Sequence, residues 1–232
     1  MTLTNMNSQV VKYYDPNDYD RPSVTVDILI FAIDDGQLKV LLVKRKEAPF
    51  LGEWALPGGF VKINEDLETA AIRELKEETG VKDVYLEQLK SFGDPSRDPR
   101  MRVITVAYIA LIPSSAIPLQ ASTDALEVKW FAVASTPKLA FDHHEIIDAG
   151  LDRLRGKVRY TNIVFALMPP TFPLSQLQET YEIILDHQLD KRNFRKKMLS
   201  LDILEPTDQQ VTGAHRPSLL YRFKKRDLVI FD

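Results

Sequence analysis

Apolar positions along the chain change their period several times, and each change predicts an element. Residues 24–33 (VTVDILIFAI) are β-branched and aromatic, with Pro22 before them and Asp34-Asp35-Gly36 after. A second apolar run, 38–43 (LKVLLV), follows at once, so the pair predicts a hairpin closed by a tight Asp-Gly turn. Residues 54–60 (WALPGGF) read as a short strand or loop around two glycines. From Leu67 to Thr79 the apolar residues fall at 67, 71, 72 and 75, the spacing of a helix, and Gly80 ends it. Strand-like runs return at 84–92, 103–112 and 128–133, and a helix is expected over 143–155. Strands and helices in this order predict an α/β domain.

Beyond this the texture changes. Met168-Pro169-Pro170-Thr171-Phe172-Pro173 is a break that a helix or central strand does not tolerate. Ser175 is then placed to cap a helix with apolar residues at 177, 181, 184 and 185. A turn over 187–190 leads to a second helix at 191–201. Short strands are expected at 204–206 and 218–223, around a polar loop holding Gly213. Helix, turn, helix and two-stranded wing make a small winged-helix (α+β) unit. The expected organisation is a flexible tail (1–22), an α/β domain (23–156) and a winged-helix domain (157–232).

Composition narrows the chemistry. The 232 residues contain no cysteine, which excludes disulfides, thiolate metal sites and a cysteine nucleophile. The first twenty residues are polar and acidic, unlike a signal peptide, and no apolar run approaches the ~20 residues of a membrane helix. The expectation is a soluble cytoplasmic protein with no membrane partner. The net charge of −3 conceals an asymmetry: residues 1–156 hold 18 Lys and Arg against 24 Asp and Glu, the remainder 12 against 9. An acidic part joined to a basic part suggests two partners of different chemistry, though ordinary sampling of surface charge also gives such splits.

The stretch from Gly59 to Val81 (GFVKINEDLETAAIRELKEETGV) concentrates the chemistry. Glu74, Glu77 and Glu78 stand at i, i+3 and i+4, on one face of the expected helix. Side by side such carboxylates repel, and a hard divalent cation such as Mg²⁺ removes that penalty because it seeks oxygen ligands. Arg73 reaches Glu77 at i+4 and orients it, and Gly59 lets backbone approach a metal closely. A solvated acidic face is the alternative. The stretch matches the Nudix signature G-x5-E-x7-R-E-U-x-E-E-x-G-U, with U aliphatic, at Gly59, Glu65, Arg73, Glu74, Leu75, Glu77, Glu78, Gly80 and Val81. It therefore resembles Nudix hydrolases over about 23–155. That resemblance implies an α/β/α sandwich with a mixed sheet, and Mg²⁺ or Mn²⁺ held by Glu74, Glu77, Glu78 and the carbonyl of Gly59. Glu65 and Arg73 would complete the catalytic set, and Asp124 or Glu127 would add a base or ligand, with Glu127 equally explained as surface. Pro95 lies where Nudix enzymes acting on ADP-ribose tend to carry a proline. Arg45, Arg97, Arg100 and Arg102 offer cations to a diphosphate, or solvated arginines at a turn. Trp54 is either a base contact or core. His143 and His144 read as capping or packing at a helix start.

On the second winged-helix helix, residues 190–199 (DKRNFRKKML) present Lys191, Arg192, Asn193, Arg195, Lys196 and Lys197, while Arg216 falls on the wing. Such residues meet phosphates and base edges in a major groove, or simply face solvent. The whole chain resembles the Nudix-related transcriptional regulators of the NrtR type, in the segments FGDPSRDPR, FDHHEI, SQLQ and DKRNFRKK. The resemblance implies a homodimer on double-stranded DNA, controlling NAD metabolism, with a nucleotide-sugar ligand such as ADP-ribose altering DNA affinity. Many of that group have a decayed box, whereas every box residue is present here. The first expectation is hydrolysis of ADP-ribose to AMP and ribose 5-phosphate, and the second is a sensor with little turnover. A third is a hydrolase of oxidised nucleotides whose C-terminal unit only dimerises.

Overall fold

The computed structural model describes residues 15, 18–80, 84–113, 125–211 and 218–231. Strand β1 (Ser23–Asp34) lies at the centre because its apolar run is buried on both faces. It pairs in parallel with β6 (Val103–Leu111), from Ser23 opposite Val103 to Phe31 opposite Leu111. The expected hairpin joins β1 to β2 (Gln37–Arg45). Asp35 (φ 49°) and Gly36 (φ 69°) both take the left-handed conformation that a tight two-residue turn requires. Short β3 (Trp54–Ala55) extends β2, and β4 (Gly58–Phe60) pairs with the start of β1. The strands β5 (Tyr85–Phe92) and β7 (Ala125–Ala132) complete a mixed seven-stranded sheet of order β3-β2-β1-β6-β5, with β7 on β2.

Each face carries a helix. Val26, Ile28 and Ile30 point to α1 (Leu67–Thr79) and meet Ala70, Ala71 and Leu75. Leu29 and Phe31, one residue out of phase, point to α2 (His143–Tyr160) and meet Ile146, Ile147 and Leu154. A Cβ on Gly150 would fall 2.0 Å from Leu29 Cδ2, so α2 lies on the sheet at a distance that only glycine permits. Helix α1 starts and stops where expected: Asp66 accepts from Thr69 N, and Gly80 (φ 72°) closes the last turn.

Helix α2 runs past the expected end at 155 and through Gly156 to Tyr160, because Lys157 and Val158 still have partners. Val158 is buried in the core, and Lys157 pairs with Glu87 on β5. The proline-rich break is also more structured than expected. Phe172–Pro173 forms β8, an edge strand against Tyr221 and Leu220, where a proline removes no needed donor. Consequently α3 (Leu174–Leu185) starts one residue before Ser175. Pro173 holds the cap position with no side-chain bond, and Ser175 lies inside the first turn. Helix α4 (Lys191–Ser200) is capped by Asp190, which accepts from Asn193 N at 2.8 Å. Strands β9 (Leu204–Val211) and β10 (Ser218–Phe223) finish the wing in the order β8-β10-β9. The fold is therefore an α/β/α sandwich with a mixed sheet, followed by a winged helix.

The two units share one apolar cluster. It passes from Leu29 and Phe31 through the buried turn Ile163–Ala166 to Leu177, Phe194 and Met198. Polar contacts tie the same seam. Arg155 Nε donates to Ile184 O, and Arg226 Nη2 donates to the carbonyls of Phe165 and Met168. Within the sandwich, Glu87 on β5 accepts from Tyr85 on its own strand and from Lys157 and Arg153 on α2. No helix among the described residues is long and apolar enough to cross a membrane.

Candidate metal centre and nucleotide cleft

Arg73 organises the acidic face of α1. Its Nε and Nη2 donate to Glu65 Oε2 at 2.9 Å and Oε1 at 2.5 Å, a two-point grip. Nη1 donates to Glu74 Oε1 at 2.6 Å and Glu77 Oε2 at 3.1 Å, and Nη2 also reaches Phe60 O. The grip of Arg73, with the Lys62 amide, holds the Glu65 carboxyl down to about 2. Glu74 behaves oppositely: burial raises its carboxyl above the ordinary range despite Arg73.

Two glycines permit close approaches here, Gly59 to this carboxylate and Gly58 to β1. A Cβ on Gly59 would lie 2.2 Å from Glu74 Oε1, and one on Gly58 would lie 2.2 Å from Val26 O. Gly58 N also donates to Glu78 Oε2 at 3.1 Å, which fixes the third box glutamate beside the loop. Among the described residues no three acidic or imidazole side chains stand together as a ready-made ligand group, because Arg73 lies among Glu65, Glu74 and Glu77. The donor set still fits a hard divalent cation. Glu74 is a buried carboxylate whose charge a cation would offset, and Gly59 leaves room at its side. Glu78 and the Gly59 carbonyl supply further oxygens. Glu77 is the most exposed of the three and turns to Arg73.

These groups open into a cleft of about 410 Å³. Arg45 and Arg100 line its cationic side, their guanidiniums 4.8 and 5.9 Å from the Phe141 ring centroid. Burial, and then the neighbouring Arg100, push the Arg45 guanidinium below its usual range. Asp98 grips Arg100 through Nε and Nη2, and Arg45 Nε donates to Pro49 O. The floor is polar and buried. Arg97 donates two bonds to Asp142, at 2.8 and 2.6 Å, and one to Asp27 at 3.3 Å. His143 Nδ1 accepts from Leu56 N at 2.9 Å, leaving Nε2 3.6 Å from Asp27 Oδ1. Burial lowers the His143 pKa, and a proton on Nδ1 would oppose the Leu56 donor, so the ring is neutral with its hydrogen on Nε2.

Several expected contacts lie elsewhere. Trp54 packs edge-on against Phe131, 4.8 Å between centroids, and against the main core rather than lining the cleft. Arg102 is exposed outside the cleft, its Nη1 donating to Asp94 O and Val103 O. Arg97 does line the floor, but Asp142 and Asp27 already engage it, so it braces the site instead of offering a free cation. Glu127 is exposed on β7 opposite Lys44, 3.8 Å from its Nζ. Asp124, Val81 and Arg216 lie outside the described residues. His143, read as packing, forms part of the floor, and Asp27 was not anticipated. The signal for Asp27 was available: a lone carboxylate interrupts an otherwise apolar central strand.

On α4, Phe194 and Met198 are buried four residues apart and anchor the helix. Lys191, Arg192, Asn193, Arg195, Lys196 and Lys197 remain exposed on its other faces. The five cations form no ion pair with any described residue, so they present an unneutralised positive surface.

Residues 22–150 match the NUDIX domain family over more than half of the chain. The chain belongs to the Nudix family. Residues 164–223 of this Nudix chain match the NrtR DNA-binding winged helix domain. It is 44% identical over 218 residues to the ADPR responsive transcriptional repressor NtrR of Acinetobacter baylyi, covering 92% of this chain and 87% of that one. It is 43% identical over 129 residues to the ADP-ribose pyrophosphatase of Methanocaldococcus jannaschii, covering 56% and 73%. The crystal structure of Shewanella oneidensis NrtR complexed with a 27mer DNA superposes with a TM-score of 0.78 at 38% identity, covering 87% and 93%.

Proposed function

We propose that the cleft of this Nudix chain binds ADP-ribose with Mg²⁺ or Mn²⁺ and hydrolyses it to AMP and ribose 5-phosphate. The winged helix places the same chain, as a homodimer, on double-stranded DNA. The observation that carries the reading is the meeting in one cleft of Glu74, Glu78 and Gly59 with the guanidiniums of Arg45 and Arg100. Oxygen ligands on one side and cations on the other suit a metal-bridged diphosphate.

Glu74, Glu78 and the Gly59 carbonyl would hold the cation, and Arg73 fixes Glu74 and Glu77 in place. A divalent cation bound there would supply charge neutralisation and a more acidic water. Arg45 and Arg100 bind phosphate oxygens across from the carboxylates. The proton of the attacking water goes to a carboxylate, for which Asp124 is the remaining candidate, since Glu127 is exposed on β7 outside the cleft lining. A repressor responding to ADP-ribose is the companion reading, favoured by the 44% identity to such a repressor across nearly the whole chain. The two readings are compatible, because a regulator that consumes its effector resets itself.

Chromatography of ADP-ribose incubated with the protein and Mg²⁺ tests the enzyme. AMP is expected from the wild type and not from Glu78→Gln, whose amide oxygen still accepts from Gly58 N. Equal turnover by both proteins would refute the assignment. Binding of ADP-ribose without AMP release would leave the sensor alone.

A further inference from the structure

The floor of the cleft holds a polar group that the fold itself does not use. Thr25 lies two residues before Asp27 on β1, so both side chains leave the same face of the strand. Thr25 is nine-tenths buried, lines the cleft, and its Oγ1 makes no hydrogen bond to any described residue. A buried hydroxyl without a partner is costly, and its usual explanation is a ligand or water that completes it. Two more groups converge beside it. Asp27 Oδ1 is not engaged by Arg97, which donates to Oδ2, and the His143 Nε2 that carries the ring hydrogen lies 3.6 Å from it, beyond hydrogen-bond length.

We infer that Thr25, Asp27 and His143 form a subsite for the hydroxyls of a sugar, and that this sugar is the ribose at the far end of the diphosphate from adenosine. The inference rests on the reading of the cleft as an ADP-ribose site. Donor and acceptor count decides the chemistry. The floor offers a carboxylate that only accepts, an imidazole N–H that only donates, and a hydroxyl that does both. Sugar hydroxyls both donate and accept, so they satisfy all three. A phosphate only accepts, and the Asp27 carboxylate would repel it. Carboxylates bind ribose hydroxyls in the same way in dinucleotide sites. Thr25, Asp27, His143 and Arg97 are all buried, and Asp142 braces Arg97. A sugar reaching such buried groups enters end-first, as the terminus of a molecule. The adenosine ribose is internal, flanked by base and phosphate, whereas the distal ribose ends the chain. Adenine is the other terminus, but the aromatic ring nearest the floor, Phe141, is already faced by Arg45.

Thr25→Val tests the assignment, because it keeps the shape and removes only the hydroxyl. Calorimetric titration of ADP-ribose and of ADP into the full chain, wild type and variant, without divalent cation so that ADP-ribose is not consumed, is paired with thermal unfolding. Removing an unpartnered buried hydroxyl leaves the melting temperature unchanged or higher. ADP-ribose affinity is expected to fall about fivefold, the worth of one net hydrogen bond, while ADP affinity stays the same. Wild-type protein is expected to bind ADP-ribose more tightly than ADP. Equal losses for both ligands would overturn the proposal and place the hydroxyl against the adenosine half. No loss for either ligand would overturn it as well. Failure of the wild type to bind ADP-ribose at all would refute the cleft reading itself, a result distinct from either. His143→Gln serves as the second variant: a selective loss of ADP-ribose supports the subsite, and an equal loss of both ligands contradicts it.

Discussion

The decisive residues work through exclusion of atoms as much as through charge. Besides its carbonyl, Gly59 contributes the lack of a side chain, and Glu74 occupies the space that a Cβ would need. Gly59→Ala must therefore displace the Glu74 carboxylate from its position beside Arg73. Misplacing a reacting group by about 1 Å costs on the order of a hundredfold in rate. The variant is expected to lose about that factor in AMP release while its melting temperature stays within a few degrees; full activity would show that the cradle is not needed. The box residues were legible in the sequence because their spacing is local: i, i+3 and i+4 meet on any helix. The cleft floor was not legible. Arg97 finds Asp142 across 45 positions and Leu56 N finds His143 across 87, and no periodicity encodes such pairings. Trp54 lies outside the cleft lining for the same reason, since Phe131, on a strand far away in sequence, decides its packing.

At the level of elements, α4 and the β5–α2 seam carry separate consequences. Helix α4 is held by Phe194 and Met198, so its cations can be changed without touching the core. If it lies along DNA, each lost phosphate contact lowers the slope of log affinity against log salt by about 0.9. The double variant Arg192→Ala and Lys196→Ala should reduce that slope by about 1.8 and leave thermal stability unaltered. A slope equal to that of the wild type would remove α4 from the interface. At the seam, Glu87 accepts from Lys157, Tyr85 and Arg153. Burial alone would raise its carboxyl, yet Lys157 and Tyr85 outweigh it and the pKa is lowered. A lowered carboxyl stabilises the fold above its unfolded-state pKa, and that stability is lost as pH falls through the folded value. Glu87→Gln should then cost about 2 kcal/mol near neutrality, with the gap to wild type closing in acid below about pH 4. Urea unfolding at stepped pH reads this directly, and a pH-independent gap would refute it. The elements themselves were legible from hydrophobic period, except where tertiary partners intervened. Lys157 and Val158 carry α2 past Gly156, and the β10 edge turns the Phe172–Pro173 break into a strand.

For the whole molecule, the floor of the cleft and the winged helix meet the same element. Helix α2 begins at His143 on the floor and ends at Tyr160, where Phe231 N donates to its carbonyl and Arg155 has already reached Ile184 on α3. The continuous apolar cluster leaves no flexible linker between these contacts. A ligand that favours one position of α2 would be transmitted through these contacts toward α4, and such a coupling is reciprocal by thermodynamic linkage. The direct test is fluorescence anisotropy of a labelled duplex from the chain's own upstream DNA, titrated with Glu78→Gln protein so that ADP-ribose is not consumed. Saturating ADP-ribose is predicted to shift the DNA affinity by at least about fivefold, and the same DNA to shift ADP-ribose affinity by the same factor. Superimposable DNA isotherms with and without bound ADP-ribose would contradict the account.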